Sequence, residues 1–232
     1  MSEPAVSTTV TEQVILHSPN EHNPPIEFDL DKFMGTWHVV FSTLSLWQSR
    51  KDVTITYTRK PQTDDTSVQF DDVVEYRSKS DSASSKRSSI VGVDTLLTPH
   101  KPSRPEVSQE APAAAAQTRY KWRGKGLLMI ASSRWQVLGC SRDPSPGNTV
   151  AWAVTYFEKT LFTPPGLDIY ARTAEGLPDG LVEEIIAKVK ALGGDVGLLA
   201  KTFFEVERSG VEPSKGLSAA HGLRMNVSQL FE

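Results

Sequence analysis

Short runs of β-branched and aromatic residues, broken by turn formers, recur along most of the chain. Residues 53–59 read VTITYTR, 68–77 read VQFDDVVEYR and 90–97 read IVGVDTLL. Side chains of this kind suit a pleated, half-buried surface, so each run predicts a strand. Residues 35–43, 119–131, 134–141, 149–158 and 166–172 carry the same signature. Between them lie turn signals: Pro61 and the polar residues after it, a Ser, Lys and Arg stretch at 78–89, and Asp143-Pro144 with Pro146-Gly147. Eight strands of modest length, mostly joined by turns, predict an all-β, up-and-down antiparallel barrel. Closing the sheet on itself leaves no exposed edge.

The period changes once. In residues 181–192, LVEEIIAKVKAL, the apolar positions Leu181, Val182, Ile185, Ile186, Val189 and Leu192 share one helical face. Asp179 is expected to cap this helix and Gly193-Gly194 to stop it. Residues 201–207, KTFFEVE, predict one more strand, and residues just before Gly35 a short helical turn. One C-terminal helix therefore packs outside the barrel. Residues 1–25 are polar and end in Pro24-Pro25, which predicts a disordered N-terminal arm. Residues 98–118, rich in proline and alanine, predict a disordered loop insertion. The barrel domain is expected over 26–208, followed by a tail over 209–232.

Composition narrows the function. A formal net charge of -3 gives no basic excess for nucleic acid or an anionic membrane surface. No apolar run is long enough for a membrane span. The first twenty residues lack a basic segment followed by an apolar one, and Cys140 is the only cysteine, so no intrachain disulfide can form. Both features predict a cytoplasmic protein. No Cys and His set has metal-ligand spacing, and Gly124-Lys125-Gly126 lacks the length and the Ser or Thr of a phosphate loop. Neither a metal nor another cofactor is expected, and nothing in the sequence fixes an oligomeric state. Trp47, in the loop at 44–52, reads either as a lid over a barrel mouth or as a loop anchor.

The stretch at 28–41, FDLDKFMGTWHVVF, sets a turn before Gly35-Thr36-Trp37 at the mouth of the first strand. Tyr170-Ala171-Arg172-Thr173 ends the eighth strand, just before the helix. With the order of eight strands, one helix and a short strand, the chain resembles the lipocalins over about residues 26–208. It departs from them at 141–149, where a proline-rich turn replaces the family's Thr-Asp-Tyr motif.

The resemblance implies that Arg172 stacks on Trp37, with Gly35, to close the barrel floor. It also sets the parity of the strands. Residues two and four before the strand-end arginine, Tyr170 and Asp168, face the lumen. On the same reasoning Ala153, Thr155 and Phe157 face inward from strand seven, Gln136, Leu138 and Cys140 from strand six, and Val39 and Phe41 from the first strand. The implied lumen is apolar with a few polar groups, as suits a small-molecule pocket. Asp168 is expected either as a hydrogen-bond acceptor or general base with a raised pKa, or as a hydrated rim residue. Tyr170 either polarises a ligand carbonyl or packs. Intracellular lipocalin-like proteins include cyclases of fungal secondary metabolism that close rings by Diels–Alder or related pericyclic steps. By that resemblance the protein is expected to bind an apolar, polyene-bearing molecule and promote its cofactor-free cyclisation or isomerisation. The alternative is a carrier of a hydrophobic metabolite.

Overall fold

Asp29 begins the first helix among the described residues. In the computed structural model, which describes residues 13–19, 21, 26–61, 67–97, 118–126, 129–161 and 163–213, the Asp29 carboxylate accepts from the backbone N–H groups of Asp31 and Lys32. This caps helix α1 (Leu30–Phe33) by satisfying donors that have no intrahelical partner. The chain then enters strand β1 (Gly35–Ser42) through Gly35, whose φ of +93° favours a residue without a Cβ. A Cβ there would also stand 3.1 Å from Pro146 Cγ, so the loop before β7 crosses close over it.

Strands β2 (Arg50–Arg59), β3 (Gln69–Ser78), β4 (Ser88–Leu96), β5 (Arg119–Gly124), β6 (Ser132–Cys140), β7 (Trp152–Phe157) and β8 (Gly166–Ala171) follow in order. Each pairs antiparallel with the next, and β1 pairs with both β2 and β8. The result is a closed, lipocalin-like, eight-stranded up-and-down barrel. β1 manages two neighbours by dividing its length: Gly35 to His38 lie against β2, and His38 to Ser42 against β8. Strand β9 (Phe204–Glu205) joins β1 outside the barrel, opposite Phe41 and Ser42. It is shorter than the run at 201–207 predicts, because Ala200–Thr202 form a 3-10 turn that the Thr202 hydroxyl ties to the Leu199 carbonyl.

Helix α2 (Asp179–Ala191) lies on the outer face. Pro178, not Asp179, is its N-cap. The Pro178 carbonyl accepts from Leu181 and Val182, and Asp179 is the first helical residue, where its charge still suits the positive end. The chain reverses at Gly193 and at once enters α3 (Gly194–Leu199). Among the described residues no helix is long and apolar enough to cross a membrane.

Two apolar cores lie on either side of the sheet. Trp37, Tyr57, Phe70, Tyr120, Trp135 and Tyr170 fill the barrel from within. Outside, Trp152, Val154, Leu167 and Ile169 pack against Val182, Ile185 and Val189 of α2. Part of the N-terminal segment belongs to this outer layer. Val14 is buried in it, and the His17 N–H donates to the Leu138 carbonyl at 3.0 Å. Residues 1–12, 20 and 22–25 of the predicted arm, 98–117 of the predicted insertion, and 214–232 of the predicted tail lie outside the described residues.

Candidate functional site

One end of the barrel is a plug. The Arg172 guanidinium carbon lies over the Trp37 ring, 3.6 Å from its centre. It donates to five backbone carbonyls, those of Lys32, Phe33, Met34, Thr36 and Pro144. The Trp37 indole N–H donates to the Phe33 carbonyl at 2.9 Å. Burial lowers the Arg172 pKa to about 10, so the group remains charged at neutral pH. A planar fork of N–H donors and a π-face are what this corner uses, and lysine supplies neither. Gly35 adjoins both, with Arg172 Nη1 3.5 Å from where its Cβ would be.

Above the plug, stacked and edge-on rings fill the lumen. Trp135 stacks on Tyr57 at 5.6 Å and tilts against Tyr120 at 4.8 Å, while Phe70 meets Tyr120 edge-on at 5.0 Å. A cavity of about 200 Å³ remains toward the other end. Ile55, Tyr57, Val74, Trp122, Trp135 and Phe157 form its wall; Leu44, Leu46, Trp47 and Pro164 lie at its mouth; Asp72 and Asp168 are its acidic groups.

Asp168 is fully buried. Ser42 donates its hydroxyl to Asp168 Oδ1, and the Trp47 indole N–H reaches Oδ2 at 3.4 Å. Burial raises the Asp168 pKa to about 7, against the opposing pull of these two donors. The group is therefore a carboxylic acid that changes charge near neutrality, at the side of a mostly apolar cavity. It is not a hydrated rim residue. Trp47, on the 3-10 turn Ser45–Trp47, is buried and acts both as an anchor and as part of the cavity.

A second acidic feature escaped the sequence reading. Asp72 on β3 and Asp94 on β4 both point into the barrel, buried among the rings. The Trp135 indole N–H donates to Asp94 Oδ1 at 2.7 Å. Burial pushes the Asp72 carboxyl well up, and the neighbouring Asp94 pushes it further. Burial also raises Asp94, to about 7. Two carboxyls this close do not both ionise readily, so the pair retains a proton. The signal was in the alternation. Asp72 shares a face with Phe70, Val74 and Tyr76, and Asp94 shares one with Ile90 and Leu96.

Of the lumen residues the sequence suggested, Asp168 and Phe157 line the cavity. Val39 and Thr155 face inward, but they are packed in the filled part of the barrel. Tyr170 also lies below the cavity, with its ring 6.2 Å from that of Trp37. Its hydroxyl is hydrogen-bonded to Thr155 and Tyr57, and burial pushes its pKa well up. Tyr170 is thus not placed to polarise a ligand in the cavity.

Three expectations are overturned. Phe41 and Leu138 belong to the outer core beneath the helix. Gln136 stands opposite Arg119 and Tyr156 and alternates with the inward-facing Trp135 and Val137, so it too faces away from the lumen. The cause is the same on both strands. The register of β1 shifts between Val39 and Phe41, and that of β6 between Val137 and Gly139. Counting by twos across either bulge reverses the face of every residue beyond it. Cys140 does face inward, its thiol packed against the inner core.

Among the described residues no three His, Cys, Asp or Glu side chains converge as metal donors. No family model matches the chain, and no curated protein matches it in sequence. Among solved structures the chain is similar to insecticyanin from the tobacco hornworm Manduca sexta, with 16% identity, 85% of this chain and 91% of that one covered, and a TM-score of 0.47. It is also similar to the siderocalin Ex-FABP, described as having dual ligand specificities, with 10% identity, 79% and 97% covered, and a TM-score of 0.45. The chain's own topology is a closed eight-stranded antiparallel up-and-down, lipocalin-like barrel with an added outer strand and a C-terminal helix.

Proposed function

We propose that this protein binds a compact, largely apolar small molecule inside its barrel. The observation that carries this is the cavity itself: about 200 Å³ bounded chiefly by aromatic and aliphatic side chains, with Asp72 and Asp168 as fixed polar points. The size limits the ligand. An apolar cavity of about 150 Å³ admits benzene, and drug-sized ligands occupy roughly 300–1,000 Å³. A ring with a short chain fits entirely. A long polyene places only one end within and leaves through the mouth beside the half-exposed Leu46.

A second reading, cofactor-free cyclisation of the bound molecule in secondary metabolism, is favoured by Asp168. An acid that titrates near neutrality can donate a hydrogen bond to a ligand carbonyl, while the ring-lined wall holds the reacting chain in a near-attack geometry. A cytoplasmic location goes with that reading.

Mass spectrometry of small molecules released from protein purified from its native host tests both. Binding predicts a stoichiometric apolar ligand, and a barrel recovered empty from every growth condition overturns it. Cyclisation predicts that a deletion strain accumulates the open-chain form of the ligand; an unchanged metabolite profile leaves a carrier.

A further inference from the structure

The polar groups of the inner barrel are unbalanced in sign. Asp72, Asp94 and Asp168 face inward, with Tyr57, Tyr120 and Tyr170 around them. Among the described residues no lysine, arginine or histidine lines the cavity. Arg59 acts on Tyr120 from a distance, but its guanidinium is at the surface, 3.7 Å from Asp31. Asp72 and Asp94 are buried and hydrogen-bond to each other through the proton the pair retains.

Such groups are costly, and an interior built for a purely hydrocarbon ligand has no use for them. Asp72 brings this carboxyl pair to the cavity wall. Across the same space lie Asp168 and the ring faces of Tyr57, Trp122 and Trp135. Carboxylates together with electron-rich ring faces are complementary to one kind of ligand group, an ammonium.

We propose that the molecule held in this barrel carries a protonated amine, which sits against Asp72 with Asp168 beside it, while its apolar body lies on the aromatic wall. The inference rests on the reading that the cavity binds a small molecule, and it assigns the chemical class. Binding is coupled to ionisation. An arriving cation favours the charged form of the carboxyls, so a proton leaves as the amine enters.

Three probes of similar shape separate the possibilities: phenethylamine, propylbenzene and 3-phenylpropionate. Each is titrated at pH 7.5 by tryptophan fluorescence and by calorimetry in two buffers of different ionisation enthalpy. Phenethylamine is expected to bind at least tenfold tighter than propylbenzene, with proton release, and phenylpropionate more weakly than either. Asp72→Asn is expected to abolish the preference for the amine. Asp168→Asn, which keeps the acceptor for Ser42, supplies a second test should the first variant fold poorly, and it is expected to reduce the preference. Propylbenzene binding as tightly as phenethylamine overturns the amine assignment and leaves the binding cavity standing. A preference that survives in both variants overturns the assigned carboxyls. Failure of all three probes overturns the amine assignment together with the cavity reading for ligands of this size.

Discussion

The guanidinium carbon of Arg172 lies 3.6 Å from the centre of the Trp37 ring, with β1 beneath one partner and the end of β8 beneath the other. One side chain therefore joins helix α1, the first strand and the end of the last barrel strand. Removing it leaves carbonyls at Lys32, Met34, Thr36 and Pro144 without this donor, besides losing a desolvated cation–π contact of about 2 kcal/mol. Arg172→Ala is expected to lower unfolding stability by about 3 kcal/mol or more. Arg172→Lys is expected to recover only a minor part, because an ammonium cannot serve five carbonyls from one plane. Urea denaturation of the three proteins checks this. Equal midpoints for wild type and Arg172→Ala would remove the plug from any structural role.

Asp168 ties stability to pH. A carboxyl in an unfolded chain titrates near about 4, whereas burial holds this one at about 7. Below both values the folded and unfolded states carry the same proton and burial adds no pH dependence. Between them the folded state keeps a proton that the unfolded state has lost, so stability falls as pH rises through this window. Asp168→Asn removes the titrating group while keeping an oxygen for the Ser42 hydroxyl. The melting temperature of the variant minus that of wild type is expected to increase from pH 4 to pH 7.5. Thermal melts across the range decide it, and a constant difference would show that Asp168 does not titrate there.

The Trp135 indole sets the protonation of the second acidic feature. Its N–H donates to Asp94 and opposes the upward push of burial. Trp135→Phe retains most of the ring stack with Tyr57 and removes the donor. The Asp94 carboxyl is then expected to titrate at higher pH than in wild type, readable from its side-chain carbon shift by NMR. An unchanged or lower value would show that the indole does not stabilise the carboxylate.

Gly139 is where the N-terminal segment crosses the sheet. A Cβ at this position would stand 2.4 Å from the Ile15 carbonyl oxygen, a backbone atom that cannot yield without moving the segment. Next to it, His17 Nε2 is 3.0 Å from the Val137 carbonyl and the His17 N–H bonds Leu138. Gly139→Ala is expected to release residues 13–19 from β6 and expose the outer core around Val14, while the barrel stays closed. Limited proteolysis should then cut within 13–19 markedly faster, with an unchanged β-sheet circular dichroism spectrum. Wild-type cleavage would show that the segment tolerates the added methyl.

Several features were legible in the sequence because they depend on local pattern. The eight strands follow from β-branched and aromatic runs, and α2 from the single apolar face that includes Ile185 and Val189. Glycine at 35 and tryptophan at 37 mark the plug. Inward placement of Asp168 and Tyr170 came from the parity that the lipocalin resemblance implies, and it carries along β8 because that strand has no bulge. Tertiary structure decided the rest. The bulges near Val40 and Leu138 arise where β1 and β6 adjust to their neighbours, and no residue preference announces them. One extra residue on each strand moved Phe41 and Leu138 to the outer core. Cavity size was likewise beyond the sequence, since it depends on how Tyr57, Phe70, Tyr120 and Trp135 stack from four strands. The pairing of Asp72 with Asp94 exists only because β3 and β4 lie side by side. Alternation could place each carboxyl on an inner face; only the closed barrel brings them together, away from water, beside a space for a ligand.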